Sequence, residues 1–362
     1  MRKYFTSRKY KRINTKRAER SLKKNLLSKD KKKAKRRGKS GKSENILNNT
    51  KASKSNFKRH IQKPFAVAPD DLRLIENTDQ CLYFFRELRN HDYQRTRRNV
   101  KFVIMSLKAV TKIDYATISV LTAINDEFRF KDIILNTILP SNEETRQFMI
   151  ESGYLNHLFD EKGKPFQKAE KSEMIFFEKG CGILSEEDNR KISQLVNNVV
   201  FHLTGEHKHC LSAKTIILEI CGNSIEWSGT DNKQWLLGVK YENDSVLFTV
   251  TDIGKGILAT LYRRFSRKFF ETFTSNDDIL KGAFDKKYGS TAKEVNRNKG
   301  LPAVKTNYTM GTIKNLKVLT NNVILHFDNE SLTRTFDKGS SRFKGTFYQW
   351  EINKECLSKL MY

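Results

Sequence analysis

Hydrophobic residues recur at helical spacing in two stretches of the C-terminal half of the chain. In the first, Glu186–Thr204, six of them form a single stripe, as expected for a helix packed on a core. The same spacing predicts a second helix that begins near Thr215. Farther along, residues 246–250 alternate between hydrophobic faces as a β-strand does, and a late strand is expected at Thr346–Ile352. These patterns predict a mixed α/β fold.

An earlier region, residues 65–160, switches regularly between strand and helix patterns. Hydrophobic runs at 100–110 and Lys131–Leu139 predict two strands. Each is followed by an amphipathic stretch that predicts a helix, at Ile118–Phe130 and Asn142–Ser152. Because a helix follows each strand, we expect the two strands to pair in parallel.

The N-terminal arm, residues 1–62, holds most of the positive charge. Its first 60 residues carry 24 Lys and Arg against 3 Asp and Glu, which is +21 of the chain's net charge of +27. With so few hydrophobic groups, the arm is expected to be disordered alone and to contact nucleic-acid phosphates without sequence preference. A solubilising tail, or a surface for an acidic protein, is the alternative. Aromatic residues that can stack on bases are interspersed: Tyr4, Phe5, Tyr10 and Phe57.

The remaining composition favours a cytoplasmic protein with two folded domains after the arm. We place these domains at residues 65–160 and 183–355 and interpret residues 161–182 as a linker. The five cysteines are scattered without a C-x-x-C pair, which argues against a zinc site or a disulfide framework. No hydrophobic run reaches the ~18 residues of a membrane span, and the N-terminus does not resemble a secretory signal.

Two short motifs in the C-terminal half carry residues suited to nucleotide chemistry. Glu219 and Asn223 are four residues apart on the predicted helix and therefore share a face. The amide oxygen is a hard ligand for Mg²⁺, and the carboxylate can orient or deprotonate a water or hydroxyl. Asp252 ends the predicted strand, where it can accept from an exocyclic amine, and Gly254 and Gly256 allow the backbone to approach a base closely.

These motifs resemble the N box and first glycine box of the GHKL (Bergerat-fold) ATPase superfamily. Further segments follow in the family's order: residues 283–285 and 289–291 resemble its lid, residues 300–302 its second glycine box, and residues 345–346 its terminal Gly-Thr strand. The similarity covers about residues 183–355. It implies an α+β two-layer sandwich of the Bergerat type that binds ATP and Mg²⁺.

The resemblance also implies a role for each matching residue. Glu219 stands at the general base, Asn223 at the Mg²⁺ ligand, and Asp252 at the acceptor for the adenine amino group. The remaining nucleotide-binding positions are Gly254, Gly256, Lys299, Gly300, Leu301 and Thr346.

The second glycine box departs from the family pattern. Only Gly300 remains of its glycines, and Pro302 removes one backbone N–H that would otherwise be available to phosphate. A weaker grip on the γ-phosphate and slow turnover are expected, with Lys299 supplying compensating charge. The segment between the two glycine boxes, residues 258–297, is long and basic. It is expected to form a lid that becomes ordered around nucleotide, and the alternative is a helical insert that does not move.

Residues 65–160 resemble a STAS domain, the fold of anti-sigma-factor antagonists. The matching features are the hydrophobic strand, Asp114 before a helix, and Gly153 near the end of the unit. Where phosphorylatable members carry a serine, this chain has Ala116, so phosphorylation there is not expected, although Thr117 lies next to it. We therefore expect this domain to pack or to bind a protein partner.

A cluster of three histidines precedes the N-box helix, at His202, His207 and His209. A phosphoacceptor or metal site is one interpretation of the cluster, and plain surface residues are the other, which we favour.

Two functions from different classes remain open. One is an enzyme, either a slow ATP hydrolase or a Ser/Thr protein kinase of the anti-sigma-factor type that acts through Glu219. The other is a non-catalytic module in which nucleotide gates binding to nucleic acid or protein. A homodimer is compatible with both.

Overall fold

An antiparallel sheet lies between two hydrophobic cores of the folded chain. This computed structural model describes residues 66–89, 94–95, 101–160, 162–166, 175–181, 184–227, 234–264, 275–288, 300–337 and 339–361. They belong to one compact unit, Lys63–Tyr362, and the predicted basic arm falls outside the described residues. The architecture is mixed α/β, with both parallel and antiparallel pairing, as the sequence predicts.

The N-terminal part of this unit combines short strands with helices. The described helices are α1 (Thr78–Arg89), α2 (Tyr115–Phe130) and α3 (Glu143–Glu151), followed by a 3₁₀ turn at Tyr154–His157. The described strands are β1 (Ala66–Val67), β2 (Asp71–Leu72), β3 (Gln94–Arg95), β4 (Lys101–Ser106), β5 (Lys112–Ile113), β6 (Ile133–Ile138) and β7 (Phe159–Asp160).

Parallel pairing of β4 with β6 is the centre of this part, as the strand–helix alternation predicts. Val103 lies opposite Leu135 in the register, and the described strands follow the order β1-β4-β6-β7, with β3 antiparallel to β4.

The helices α2 and α3 start where the sequence supplies a capping residue. Asp114 accepts a hydrogen bond from the Thr117 backbone N–H (2.7 Å) at α2, and Asn142 accepts one from the Thr145 N–H (2.8 Å) at α3.

The C-terminal part contributes the remaining described elements. Its helices are α4 (Glu186–Thr204), α5 (Leu211–Trp227), α6 (Ile257–Arg264), α7 (Asn276–Phe284), α8 (Gly300–Thr309) and α9 (Lys354–Leu360). A 3₁₀ turn spans Glu330–Leu332. Its strands are β8 (Ile175–Cys181), β9 (Gln234–Tyr241), β10 (Ser245–Asp252), β11 (Lys314–Asn321), β12 (Val323–His326), β13 (Arg334–Thr335) and β14 (Phe343–Asn353).

Every neighbouring pair in the C-terminal sheet is antiparallel. The seven described strands follow the order β13-β12-β11-β14-β10-β9-β8, so β14, the last strand along the chain, lies in the middle. Alternation along the strands assigns side chains to two faces. Phe248 and Trp350, for example, are paired across β10 and β14, and their rings stack with centroids 5.2 Å apart on one face.

The two faces of this sheet are buried in different cores. One face meets helices α4 to α9 in a C-terminal core that includes Ile217, Phe248 and Trp350. The opposite face joins the N-terminal part in a junction core, to which β14 contributes Phe343 and Phe347. Because both faces exclude water, β14 is buried along most of its length.

Polar groups also connect the N-terminal part to the sheet. Ser119 on α2 lies within hydrogen-bond distance of the hydroxyl groups of Thr251 (2.9 Å) and Thr249 (3.1 Å) on β10, and all three residues are buried. At one margin, Arg89 donates to Glu127 (2.9 Å) and to the Lys344 carbonyl (2.9 Å). These contacts pair several polar groups of the interface within the protein.

The linker prediction for residues 161–182 is wrong where β8 forms. This strand pairs with β9 along its length and is an outer strand of the described sheet. Its charged residues and glycine are typical of loops, but Gly180 has a packing role. A Cβ at Gly180 would lie 2.3 Å from the Trp235 ring, so the neighbouring strand requires a glycine there.

Candidate nucleotide site

Helix α5 places Asn223 at the edge of the C-terminal core. Ile217, Ile220 and Cys221 on this helix are fully buried against the sheet and its neighbours. Glu219, one turn before Asn223, is half-buried, whereas Asn223 is only 8% exposed. The Asn223 Nδ2 atom has no hydrogen-bond partner among the described residues, although leaving a buried amide donor unpaired costs about 1–3 kcal/mol.

The first residue of helix α8, Gly300, lies directly against the Asn223 amide. A Cβ built on Gly300 would stand 2.0 Å from Asn223 Oδ1, so no other residue type fits there without a shift. The next residue, Leu301, is buried in the C-terminal core and fixes the start of the helix. The structure therefore brings the predicted N box and second glycine box into contact.

Pro302 lies in the first turn of helix α8. A backbone N–H at that position has no intrahelical acceptor, so proline is compatible with the helix. It does remove one N–H from those that the helix start presents, as the sequence predicts. Lys299, the predicted compensating cation, lies outside the described residues.

Asp252 ends strand β10 as a fully buried carboxyl group. It is 2% exposed and lies opposite Thr346 of β14 in the register. Its Oδ1 accepts a hydrogen bond from the Gly254 N–H (2.9 Å). Burial raises the pKa of Asp252 to about 7, although hydrogen bonds from Gly254 and Thr346 act in the opposite direction. The group is therefore divided between its acid and its carboxylate near neutral pH.

The turn after Asp252 is held by two residues of strand β11. Thr320 Oγ1 accepts from the Ile257 N–H (2.9 Å) and donates to the Gly345 carbonyl (3.0 Å). Asn321 Oδ1 accepts from the Ala259 N–H (3.1 Å), while its Nδ2 donates to the Lys255 carbonyl (2.8 Å). These contacts connect the predicted first glycine box to the predicted terminal Gly-Thr strand, and sequence reasoning missed both Thr320 and Asn321.

Two glycines of this region are required by close approach as well as by backbone conformation. Gly256 has φ +82°, and a Cβ there would lie 2.6 Å from Asn321 Oδ1. Gly345 has φ +145°, and a Cβ there would lie 2.0 Å from the Asp252 carbonyl oxygen. Both motifs therefore need glycine for the fold itself, independently of any ligand.

The segment predicted as a lid is partly a packed structure. Helices α6 and α7 contribute Leu258, Leu261, Leu280 and other buried residues to the C-terminal core. Residues 283–285 lie at the end of α7, where Asp285 pairs with Lys305 of α8. Residues 265–274 and 289–299 lie outside the described part of the chain, so the lid prediction stays a prediction for them.

The three histidines do not form a common site. His202 Nε2 lies 2.7 Å from the Glu242 carbonyl oxygen, and its ring meets Tyr241 edge-on. His207 instead stacks on Phe201, with ring centroids 4.3 Å apart. Within the described ranges, no group of three or more His, Cys, Asp or Glu residues is arranged to hold a metal ion.

Thr117, which stands beside Ala116 in the N-terminal part, is buried and fully engaged. Its hydroxyl donates to the Leu72 carbonyl and accepts from the Leu74 N–H (3.1 Å). Phosphorylation would require this part of the fold to open.

Neither protein-family models nor curated proteins match the chain. Of the helices that the structure describes, none combines the length and hydrophobicity needed to cross a membrane.

Proposed function

We propose that residues 183–355 form a Bergerat-type site of the GHKL class that binds ATP with Mg²⁺, and that residues 65–160 form a STAS-like domain fused to it. One observation carries this proposal: Gly300 packs against the amide of Asn223, whose Nδ2 atom has no hydrogen-bond partner among the described residues. These two residues belong to motifs far apart in sequence, and a nucleotide site of this class needs them together.

The residues present fit a magnesium–nucleotide complex. Mg²⁺ usually keeps water and phosphate oxygens in its shell and takes only one or two protein ligands. Asn223 would supply such a ligand through its amide oxygen, and the ion would neutralise phosphate charge. The start of helix α8 offers backbone N–H groups and a partial positive charge to phosphate oxygens.

Asp252 is proposed to select adenine. In its ionised form the carboxylate accepts from the exocyclic amine, and Thr346 is the second contact at this end of the sheet. Gly254 and Gly256, held in place by β11, form the wall against which the base would pack.

A calorimetric titration with MgATP tests the binding proposal. Asn223→Ala removes the proposed Mg²⁺ ligand and should weaken MgATP binding roughly tenfold or more. Gly222→Ala is the matched control, because a Cβ at Gly222 meets nothing within 4 Å. This variant should bind MgATP with the affinity of the wild type. Equal affinities for Asn223→Ala and Gly222→Ala would contradict the proposal.

Glu219 is the proposed general base for hydrolysis or phosphoryl transfer. It lies one turn before Asn223 on the same helix, which places it near the phosphates if Asn223 holds Mg²⁺. Glu219→Ala should lower turnover by ~10²–10⁴-fold while ATP still binds. Phosphate release and transfer to protein are the measurements, with the exposed Glu187→Ala as control.

A nucleotide-gated binding module without turnover is the second candidate. Pro302 favours it, because a helix start with one N–H fewer grips the γ-phosphate less well. Under this candidate, wild-type protein and Glu219→Ala bind ATP alike and neither releases phosphate. The basic arm for nucleic acid and the N-terminal part for a protein partner belong to both candidates as proposals.

A further inference from the structure

A cleft of about 400 Å³ opens at the junction between helix α2 and the sheet, separate from the proposed nucleotide site. Ala123, Asp126 and Phe130 line it at helical spacing along one face of α2. The opposite wall comes from strands β8 and β9 and from the end of β10, including Leu236 and Ile253. Its volume falls within the range of small-molecule sites.

The walls of the cleft are largely hydrophobic, and one hydrophobic side chain in them is exposed to water. Phe130, the last residue of α2, keeps 59% of its surface exposed although it borders the cleft. Of the other lining residues, Ala123 and Leu236 are buried and Ile253 is half-buried. A flat hydrophobic body placed in the cleft would cover the Phe130 ring and remove this surface from water.

The rim carries a surplus of positive charge. Asp126 Oδ1 lies 3.0 Å from Lys179 Nζ of β8 and 4.0 Å from Arg129 Nη1 of its own helix. The two cationic side chains are 57% and 54% exposed, whereas that of Asp126 is 14% exposed. One carboxylate thus faces two cations, which leaves donors of Lys179 and Arg129 available to a further anion.

We propose that this cleft binds a small organic anion with a flat hydrophobic body, of the arylcarboxylate type. The body lies between Phe130 and Ile253, and the carboxylate pairs with Lys179 and Arg129. This assignment is independent of the nucleotide proposal, because none of the residues proposed to contact the nucleotide lines the cleft, although Ile253 lies between two of them in sequence.

The test uses 1-naphthoate as the probe, with full-length protein in the absence of nucleotide. Calorimetric titration should detect naphthoate binding, with about fivefold weaker binding of neutral 1-naphthamide and weaker binding still of 1-naphthylmethylammonium. Absence of naphthoate binding, or equal binding of the three probes, would overturn the proposal.

Variants then locate the bound probe. Lys179→Gln with Arg129→Gln should weaken naphthoate about fivefold or more, and Phe130→Ser should weaken naphthoate and naphthamide alike. These side chains are largely exposed, so the fold is expected to survive, which circular dichroism would verify. Lys131→Gln is the control. It removes a cation near the end of α2 that pairs with Glu127, and it should leave the naphthoate affinity unchanged. Unaltered affinity in Phe130→Ser would place the probe elsewhere and refute the site.

Because the titrations contain no ATP, failure of the nucleotide proposal leaves their result intact. Asn223→Ala should bind naphthoate as the wild type does.

Discussion

The buried carboxyl group of Asp252 makes the free energy of unfolding depend on pH. Its pKa is about 7 in the folded protein, against an ordinary value of 3.8. Between these values the folded protein holds a proton that the unfolded chain has released. The free energy of unfolding therefore falls as pH rises, by at most about 1.4 kcal/mol per pH unit, and levels off above the folded-state pKa.

Asp252→Asn should remove this pH dependence. Relative to wild type, the free energy of unfolding of the variant is expected to rise by about 1–3 kcal/mol between about pH 4.5 and 7, and then to stay level. Urea denaturation across this range is the measurement, with the exposed Asp244→Asn as control. Parallel profiles for wild type and Asp252→Asn would show that the carboxyl group does not titrate as inferred.

The same protonation affects the proposed adenine contact. A neutral acid presents fewer acceptor sites to an amine, so ATP affinity of the wild type should fall as pH drops below about 7, and Asp252→Asn should bind weakly at every pH.

Single residues were predictable where a motif requires a particular residue type. Asn223 and Gly300 were selected from the sequence as parts of different motifs, and the structure brings them into contact. Thr320 and Asn321 were missed, because their contacts to the glycine turn depend on where β11 lies in space. Two polar residues at a strand end can make many kinds of local hydrogen bond. No neighbouring residue indicates that these two hold the glycine turn, which is more than 60 residues away in sequence.

At the scale of elements, the contact between α2 and β10 depends on a buried hydroxyl cluster. Ser119 lies within hydrogen-bond distance of Thr249 and Thr251, and all three have almost no exposed surface. Removing one hydroxyl group leaves its neighbours with one hydrogen bond fewer, in a region where water cannot replace it.

Ser119→Ala should therefore lower the free energy of unfolding by about 1–3 kcal/mol. Ser193→Ala is the matched control. Ser193 donates only to the Asn189 carbonyl one turn earlier in α4, so its loss should cost under about 0.5 kcal/mol. Chemical denaturation of both variants is the measurement, and similar losses would mean that the cluster does not stabilise the junction.

Whole elements were predicted best where the hydrophobic period is uninterrupted. The helix expected at Glu186–Thr204 has those bounds, because a Ser185 capping box begins it and Gly205, with φ +76°, ends it. The strand at Ile175–Cys181 was mistaken for a linker, because Gly180 serves a contact with Trp235 that the local pattern does not reveal.

At the scale of the whole molecule, charge is concentrated in the arm, residues 1–62. Its dense Lys and Arg should neutralise several phosphates at once, so DNA affinity should fall steeply with salt, with a log–log slope of about −0.9 per phosphate contacted. Deleting residues 1–62 should flatten that slope while the remainder still folds. Salt titrations with DNA and RNA are the measurement, and equal affinity of both proteins throughout would exclude the arm as the contact.

The central position of β14 has a consequence for how the protein is made. This strand completes both cores, contributing Phe347 to one and Trp350 to the other, yet it is synthesised after both of the strands between which it lies. Until then β10 and β11, which it joins, have no partner between them, and hydrophobic surface on both sides of the unfinished sheet stays exposed. The nascent chain is therefore expected to expose surface of the kind that chaperones bind until β14 has been made, and a premature stop before Phe343 would yield a product that lacks the middle of its sheet.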